Sequence, residues 1–284
     1  MNLSAYAKIN LFLDISARRE DGYHDIVSYM QTVSFCDELT VEKRSSGISL
    51  EVNYDNYGNK DLAYRAAAAF FEYSGIDGGV NIKIEKRIPI GGGLAGGSAD
   101  AAAVLRALNA IYETKYSVEE LAKLAEKLGS DVPFCVVGGS CLTYGRGEII
   151  KPAPSLPNCG IVIVVSKLGV STPEQFAELD RIYNEFEGYK PNEDRLEALL
   201  TAISEKNIEG IGNNLYNIFE KTERCSLSVC EKMKELGAYG TLLSGSGSSI
   251  FGVFEDFDKA QKAAQELNSL DFSAVACRPV GTLK

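Results

Sequence analysis

The chain has 284 residues, of which 45% are hydrophobic and 24% charged, enough for one large globular domain or two ordinary ones. Its single histidine, His24, excludes two- and three-histidine metal sites, and a hydrolase triad would have to be built on that one imidazole. A net charge of −10 disfavours non-specific binding to nucleic acid or anionic lipid, so any phosphate site must be local, made of backbone N–H groups and a few cations.

The seven cysteines, at positions 36, 135, 141, 159, 225, 230 and 277, form no C-x-x-C pair. They read as small apolar residues of a reduced, cytoplasmic chain. Lys8, Asn10 and Asp14 interrupt the apolar residues of the N-terminal run, which is therefore no signal peptide. No later run approaches the roughly 18 apolar residues of a membrane span. The expectation is a protein without nucleic-acid or membrane partners.

In chain order, residues 5–16 alternate with period two. Ala5, Ala7, Ile9, Leu11, Leu13 and Ile15 face one way, and Tyr6, Lys8, Asn10, Phe12 and Asp14 the other. This predicts a half-buried strand with Lys8 and Asn10 on its polar, exposed face, one pleat repeat apart. Residues 39–41 and 48–52 alternate likewise. Residues 60–74 read as a helix capped by Asp61 and stopped by Gly75, and 80–85 as a strand ending before Pro89.

A glycine-rich turn then runs into an alanine-rich helix expected to begin near Ser98. The helix after it opens on a Ser117/Glu120 capping box and closes at Gly129. The cluster Pro152, Pro154 and Pro157 predicts a domain boundary, dividing the chain into 1–155 and 156–284. Beyond it come a short strand at 160–165 and a helix with Thr172 as N-cap and Pro173 at the first position. Helices are expected near 193–206, 207–223 and 226–236, then a strand–turn–strand through the second glycine-rich stretch, 241–254. A helix near 258–268 and a strand near 274–280 end the chain. Mixed strands and helices without strict alternation predict an α+β fold in two lobes.

Gly91, Gly93 and Gly96 satisfy G-x-G-x-x-G. A dinucleotide fold needs a second strand with an acidic residue about 20 residues on, and here two helices follow. No Gly-Lys pair exists for a Walker loop, and the H-R-D and D-F-G partners of a protein-kinase loop are absent. Two readings remain. Five glycines in the seven positions 91–97 let the backbone approach a ligand and aim N–H groups at it, at the positive end of a helix. The same glycines would also serve tight strand–helix packing.

The stretch Pro89 to Ala102 resembles the phosphate-binding motif of the GHMP kinases, with Pro89, Gly93, Leu94, Gly97 and Ser98 occupying the pattern. The resemblance implies a two-lobed GHMP kinase fold, with a ribosomal-protein-S5-like N-terminal lobe and a ferredoxin-like C-terminal lobe. It also implies ATP held at Pro89, Gly91, Gly92, Gly93, Leu94, Ala95, Gly96, Gly97, Ser98 and Ala99, with Mg2+ at Ser98.

Further runs resemble one branch of that family, whose small-molecule acceptor is a cytidine-diphosphate-linked methylerythritol. These runs are Ala7 to Leu11, Arg18 to His24, Gln31-Thr32, Asp37 to Leu39, Leu128 to Phe134, Gly145 to Glu148 and Ser244 to Ser249. They imply transfer of the ATP γ-phosphoryl to the 2-hydroxyl of the acceptor, a step of the non-mevalonate isoprenoid pathway. The resemblance also implies a monomer or weak homodimer. A hydroxyl needs a base, and Asp131, set between Gly129 and Pro133, is the candidate, although by itself it reads equally as a loop carboxylate. In the family a lysine equivalent to Lys8 lies beside that aspartate, where a cation favours the charged carboxylate and stabilises developing charge.

By the same resemblance Tyr23 stacks on cytosine, His24 hydrogen-bonds it, Thr172 touches the substrate, Asn10 holds its polyol or phosphate region, and Phe176 stacks on the base's other face. Phe176 reads equally as helix core. The chain departs from the family at Asn213-Asn214-Leu215-Tyr216, where an acidic sequence is frequent. Another small-molecule GHMP kinase, such as a homoserine kinase, is the alternative; the Asp21–His24 box speaks against it. A non-catalytic regulator on the same fold is opposed by the joint presence of Lys8, Ser98 and Asp131.

Overall fold

The computed structural model describes residues 1–53, 58–165, 171–222 and 227–283. Gly169 and Val170, the start of the run leading to Phe176, and Cys225 lie outside the described residues. The first half builds one sheet from β1 (Asn2–Arg18), β2 (His24–Arg44), β3 (Gly47–Val52), β4 (Gly79–Glu85), β5 (Ser140–Tyr144) and β6 (Ile149–Pro152). Its helices are α1 (Leu62–Ser74), α2 (Gly96–Ile111), α3 (Val118–Ala125) and α4 (Val132–Val137).

The second half begins with β7 (Gly160–Val165), α5 (Thr172–Ile182), α6 (Glu193–Ser204) and α7 (Ile208–Asn213). It continues with β8 (Tyr216–Asn217), α8 (Leu227–Glu235), β9 (Gly240–Leu243), β10 (Ile250–Phe254), α9 (Phe257–Ser269) and β11 (Ser273–Cys277).

The first sheet runs β3-β4-β2-β1-β8. β2 is long enough to pair with β4 through one half and with β5 through the other. The second sheet runs β11-β7-β10-β9 and is antiparallel. In chain order its strands are fourth-first-third-second, with helices before β9 and after β10, which is the ferredoxin-like arrangement. The change of sheet falls in the proline-rich stretch after β6. Two segments cross back: β8 pairs parallel to β1, and the C-terminal tail bridges Pro279 to Val33 and Thr282 to Gly138.

Several local expectations shift. β1 is covered on both faces rather than half-buried: every residue from Ala7 to Ile15 is buried, Lys8 and Asn10 included. The second lobe's sheet covers the apolar face, where Ala7, Ile9 and Leu11 share a core with Ile161, Ile163 and Phe251, and Leu13 and Ile15 share one with Val162 and Phe254, while Asp131 and the Gly245 turn close over Lys8 and Asn10 on the other face. The 207–223 stretch is not one helix. It breaks after α7 into β8 and a short 3-10 turn, because Asn217 turns its side chain onto the 243–245 backbone. α2 starts at Gly96, two residues early, after Ala95 adopts a left-handed φ of 55°. Ser171, not Thr172, holds the N-cap position of α5. The Asp61 cap, the Gly75 stop and the Ser117/Glu120 box are all present.

The alanines of α2 make the first lobe possible. Ala99, Ala101, Ala102, Ala103 and Ala107 are each at most 2% exposed. Side chains this small let the helix lie close on the sheet, with α1 and α4 against its flanks.

Candidate active site

A cleft of about 940 Å³ opens where the two lobes meet. Its lining gathers residues from across the sequence: Lys8 and Asn10 of β1, Tyr23 and His24, the 89–98 loop, Asp131, Thr172 and Phe176 of α5, and the 245–247 turn. Two residues of the expected phosphate loop do not line it. Leu94 is 1% exposed and packs with Ile88 and Ile161, and Ala99 is 2% exposed and packs inside the first lobe. The Ala99 N–H is already spent on the Ala95 carbonyl, 2.9 Å away. Leu94 and Ala99 thus back the loop from behind instead of lining the cleft.

The loop is held by the second glycine-rich turn. Ser244 Oγ donates to the Gly93 carbonyl at 3.0 Å, and the Ser249 N–H donates to the Gly92 carbonyl at 3.1 Å. Gly93 has φ +76°, and a Cβ there would stand 2.0 Å from the Ser244 carbonyl oxygen. This glycine thus serves lobe packing. Gly97, by contrast, is exposed, and a Cβ there would meet only Leu62 at 3.6 Å. Past the loop, the first turn of α2 leaves the N–H groups of Gly96, Gly97 and Ser98 without intrahelical partners, as every helix start does. They sit at the positive end of a 16-residue helix, on the cleft wall, and this favours phosphate.

Lys8 and Asp131 meet in this cleft. Lys8 Nζ stands 3.8 Å from Asp131 Oδ2 and donates to Asn10 Oδ1 at 2.7 Å. Asp131 precedes α4 and keeps about a third of its side chain open, while Lys8 is 4% exposed. Asn10 is wholly engaged behind Lys8: its Oδ1 also accepts from the Gly245 N–H at 3.1 Å, and its Nδ2 donates to Ser28 Oγ at 2.8 Å. Its visible occupation is fixing Lys8 and the second turn.

The aromatic end of the cleft lies around His24. A tight turn precedes it: Gly22 takes φ +82°, and Asp21 accepts from the Tyr23 N–H at 3.1 Å. Tyr23 stays 55% exposed, with the Arg146 guanidinium 5.1 Å from its ring centre. His24, by contrast, is the first residue of β2 and is buried. Phe176 stacks on its ring at 4.7 Å and 16° between planes. Phe176 also meets Phe219 edge-on at 5.0 Å, so it is at once core and cleft wall. Thr172 Oγ1 lies 2.8 Å from Ser246 Oγ, tying α5 to the second turn.

Several residues owe their place at the site to partners that the sequence does not show. Lys86 Nζ bridges Asp37 at 2.6 Å and Asp100 at 2.5 Å, all three buried beneath the phosphate loop. Asp37 also accepts from the Arg87 and Ile88 N–H groups, which fixes the backbone leading into Pro89. Burial pushes the Asp100 carboxyl up to about 7; Lys86 opposes this and Asp37 adds to it. Burial pulls Lys86 down, but the two carboxylates outweigh it and its net shift is upward. Asp180, one turn beyond Phe176, meets His24 Nε2 at 2.7 Å. Each needs a partner distant in sequence, which no periodicity reveals.

Among the described residues no cluster of three or more His, Cys, Asp or Glu could hold a metal ion, and no helix is long and apolar enough to cross a membrane.

Comparison with known proteins agrees with this geometry. The family model of the GHMP kinase N-terminal domain matches residues 61–139, and that of the GHMP kinase C-terminal domain matches 196–271. A 4-diphosphocytidyl-2-C-methyl-D-erythritol kinase of Acetivibrio thermocellus is 38% identical, over 99% of each chain. The crystal structure of a 4-(cytidine 5'-diphospho)-2C-methyl-D-erythritol kinase superposes with a TM-score of 0.79 at 38% identity, covering 99% of this chain and 100% of that one. A homoserine kinase from Cytophaga hutchinsonii shares the fold, with a TM-score of 0.74 over 99% and 95% of the two chains, but at 18% identity. The chain belongs to the GHMP kinases and, among them, to the family of the 4-diphosphocytidyl-2-C-methyl-D-erythritol kinases.

Proposed function

We propose that this cleft transfers the γ-phosphoryl of ATP to the 2-hydroxyl of 4-diphosphocytidyl-2-C-methyl-D-erythritol, with Asp131 as general base and Lys8 as its assisting cation. The observation that carries this reading is the placement of the Lys8–Asp131 pair in one cleft, with the N-terminus of α2 and the Tyr23/His24/Phe176 aromatic end both on its walls.

In this reading the exposed part of the Asp131 carboxylate takes the hydroxyl proton as the O–P bond forms and the bond to ADP breaks. Lys8, buried and held by Asn10, presents a fixed positive charge beside the transferring phosphoryl. A desolvated, preorganised charge acts more strongly there than it would in water. The N–H groups of Gly96, Gly97 and Ser98 receive the nucleotide phosphates. Tyr23 and Phe176 flank the cytosine, and His24 reads its edge.

Ser98 would hold Mg2+. Its hydroxyl is a hard oxygen donor at the helix start, and such an ion is ordinarily bound by one or two protein oxygens, the nucleotide phosphates and water. When bound, the ion supplies neutralisation of phosphate charge.

A reducing, cytoplasmic setting suits the free thiols: burial holds Cys135 and Cys277 far above their ordinary range and pushes Cys159 up to about 12.

The test is a coupled ADP-release assay with three acceptors: the cytidine-diphosphate-linked methylerythritol, homoserine and mevalonate. Turnover of the first alone supports the proposal. Turnover of homoserine alone would replace it with the alternative, and turnover of none would favour a non-catalytic nucleotide-binding protein.

A further inference from the structure

The geometry points to Asp180 as the residue that sets which base the cleft accepts, by fixing the proton of the His24 ring on Nε2 and leaving Nδ1 as an acceptor for an exocyclic amine. This rests on the proposed cytidine-linked substrate and deepens it.

α5 presents residues four apart on one face, and two of them meet the same imidazole. Phe176 stacks on the His24 ring, and Asp180 Oδ1 lies 2.7 Å from its Nε2. A carboxylate has no proton to give, so a hydrogen bond of this length requires Nε2 to be the donor. In a neutral imidazole the proton is then absent from Nδ1, which becomes an acceptor. Among the described residues no group bonds Nδ1, although the residue is only 6% exposed and lines the cleft. An unpartnered acceptor on the cleft wall selects a ligand that brings a donor, because a ligand that covers it without a donor pays for its desolvation.

The pyrimidines differ at that point. Cytosine carries an N4 amine, a donor, where uracil carries an O4 carbonyl, an acceptor. An Nδ1 acceptor therefore favours cytosine and leaves a uracil carbonyl facing a lone pair. Asp180 is itself held in place by the Arg18 Nε at 3.6 Å, and Arg18 pairs in turn with Glu185. Asp180 touches no reacting atom in this account. It is a positioning residue acting through His24.

His24 is the chain's only histidine, so its ring can be read without assignment ambiguity. The experiment is ¹⁵N NMR of histidine-labelled full-length protein at neutral pH, run on wild type, Asp180→Asn and Asp180→Ala. It is paired with kcat and KM for the cytidine-diphosphate-linked acceptor and its uridine-diphosphate-linked analogue. The expected result is the neutral, Nε2-protonated tautomer in wild type and loss of that single tautomer in Asp180→Ala. The cytidine-over-uridine ratio of kcat/KM should fall by at least ~10-fold in Asp180→Ala, carried by KM, with kcat for the cytidine acceptor within about twofold of wild type.

An Nδ1-protonated or doubly protonated ring in wild type would overturn the inference, as would an unchanged base preference in a folded Asp180→Ala protein. If that variant fails to fold, the wild-type spectrum and the isosteric Asp180→Asn decide. A wild-type protein that turns over neither acceptor would instead overturn the assigned substrate, and the tautomer spectrum would still judge the role of Asp180 separately.

Discussion

Lys8 Nζ lies 3.8 Å from Asp131 Oδ2, yet the two residues come from different layers of the first lobe, one from β1, between β2 and β8 in the sheet, and the other from the turn before α4. Lys8 cannot swing away: it is buried and tied to Asn10, which is tied to Ser28 and to the Gly245 backbone. In the proposed reaction this fixed cation serves the transferring phosphoryl beside the partly open carboxylate. Lys8→Met, which keeps the buried stem but removes the charge, should lower kcat by about 10²–10³-fold with a much smaller change in KM for ATP. Steady-state kinetics on a variant shown to be folded by circular dichroism will check this. A fall confined to KM would mean that Lys8 only binds substrate.

The phosphate loop depends on a glycine whose reason lies in the other lobe. At Gly93 a Cβ would stand 2.0 Å from the Ser244 carbonyl, at a φ of +76°. Gly93→Ala should therefore push the two glycine-rich turns apart and cost about 1–3 kcal/mol or more. Gly97→Ala, with open space around it, should cost no more than about 1 kcal/mol and act mainly on ATP affinity. Urea unfolding of the two variants side by side separates these effects.

The buried Asp37–Lys86–Asp100 group predicts a pH dependence whose sign can be worked out. The unfolded chain gives Asp100 an ordinary pKa of about 3.9, whereas the folded protein pushes it up to about 7. The folded state thus holds this proton more tightly. Its contribution to stability is present below about pH 4 and is lost as pH rises toward about 7. Asp100→Asn cannot titrate. Whatever constant offset the lost ion pair introduces, the stability of the Asn variant relative to wild type should rise steadily across that window. Thermal melts from pH 4 to pH 7 measure the slope, and parallel curves would contradict the assignment.

The aromatic end of the cleft predicts a split between the two substrates. His24→Ala removes a ring that Phe176 stacks on and that faces the expected base. It should raise KM for the cytidine acceptor by about tenfold or more while leaving KM for ATP within about twofold. Equal changes in both constants would count against a base contact.

How much of this could be read from residues alone follows from how local each feature is. The Asp61 cap, the Ser117/Glu120 box, the glycine loop into α2 and the second strand–turn–strand are set by neighbours within a few positions, and they form as expected. The alternation in β1 correctly placed Lys8 and Asn10 on one face. It misjudged their exposure, because the cover comes from Asp131 and the Gly245 turn, both more than 120 residues away in sequence. Its partner β2 was legible only at residues 39–41, since the first half of that strand is buried on both faces and shows no alternation. For the same reason no alternation marks His24 as the start of a buried strand. Asp180, Lys86 and Asp37 each work through a partner that only the folded chain supplies.

The most direct test of the account is the transfer activity of Asp131→Asn, measured as formation of the phosphorylated cytidine-diphosphate-linked product alongside equilibrium binding of ATP. ATP affinity should be unchanged and kcat lowered by about 10²–10⁴-fold. Residual kcat within about tenfold of wild type would show that Asp131 is not the base and that the Lys8–Asp131 pair does not carry the reaction.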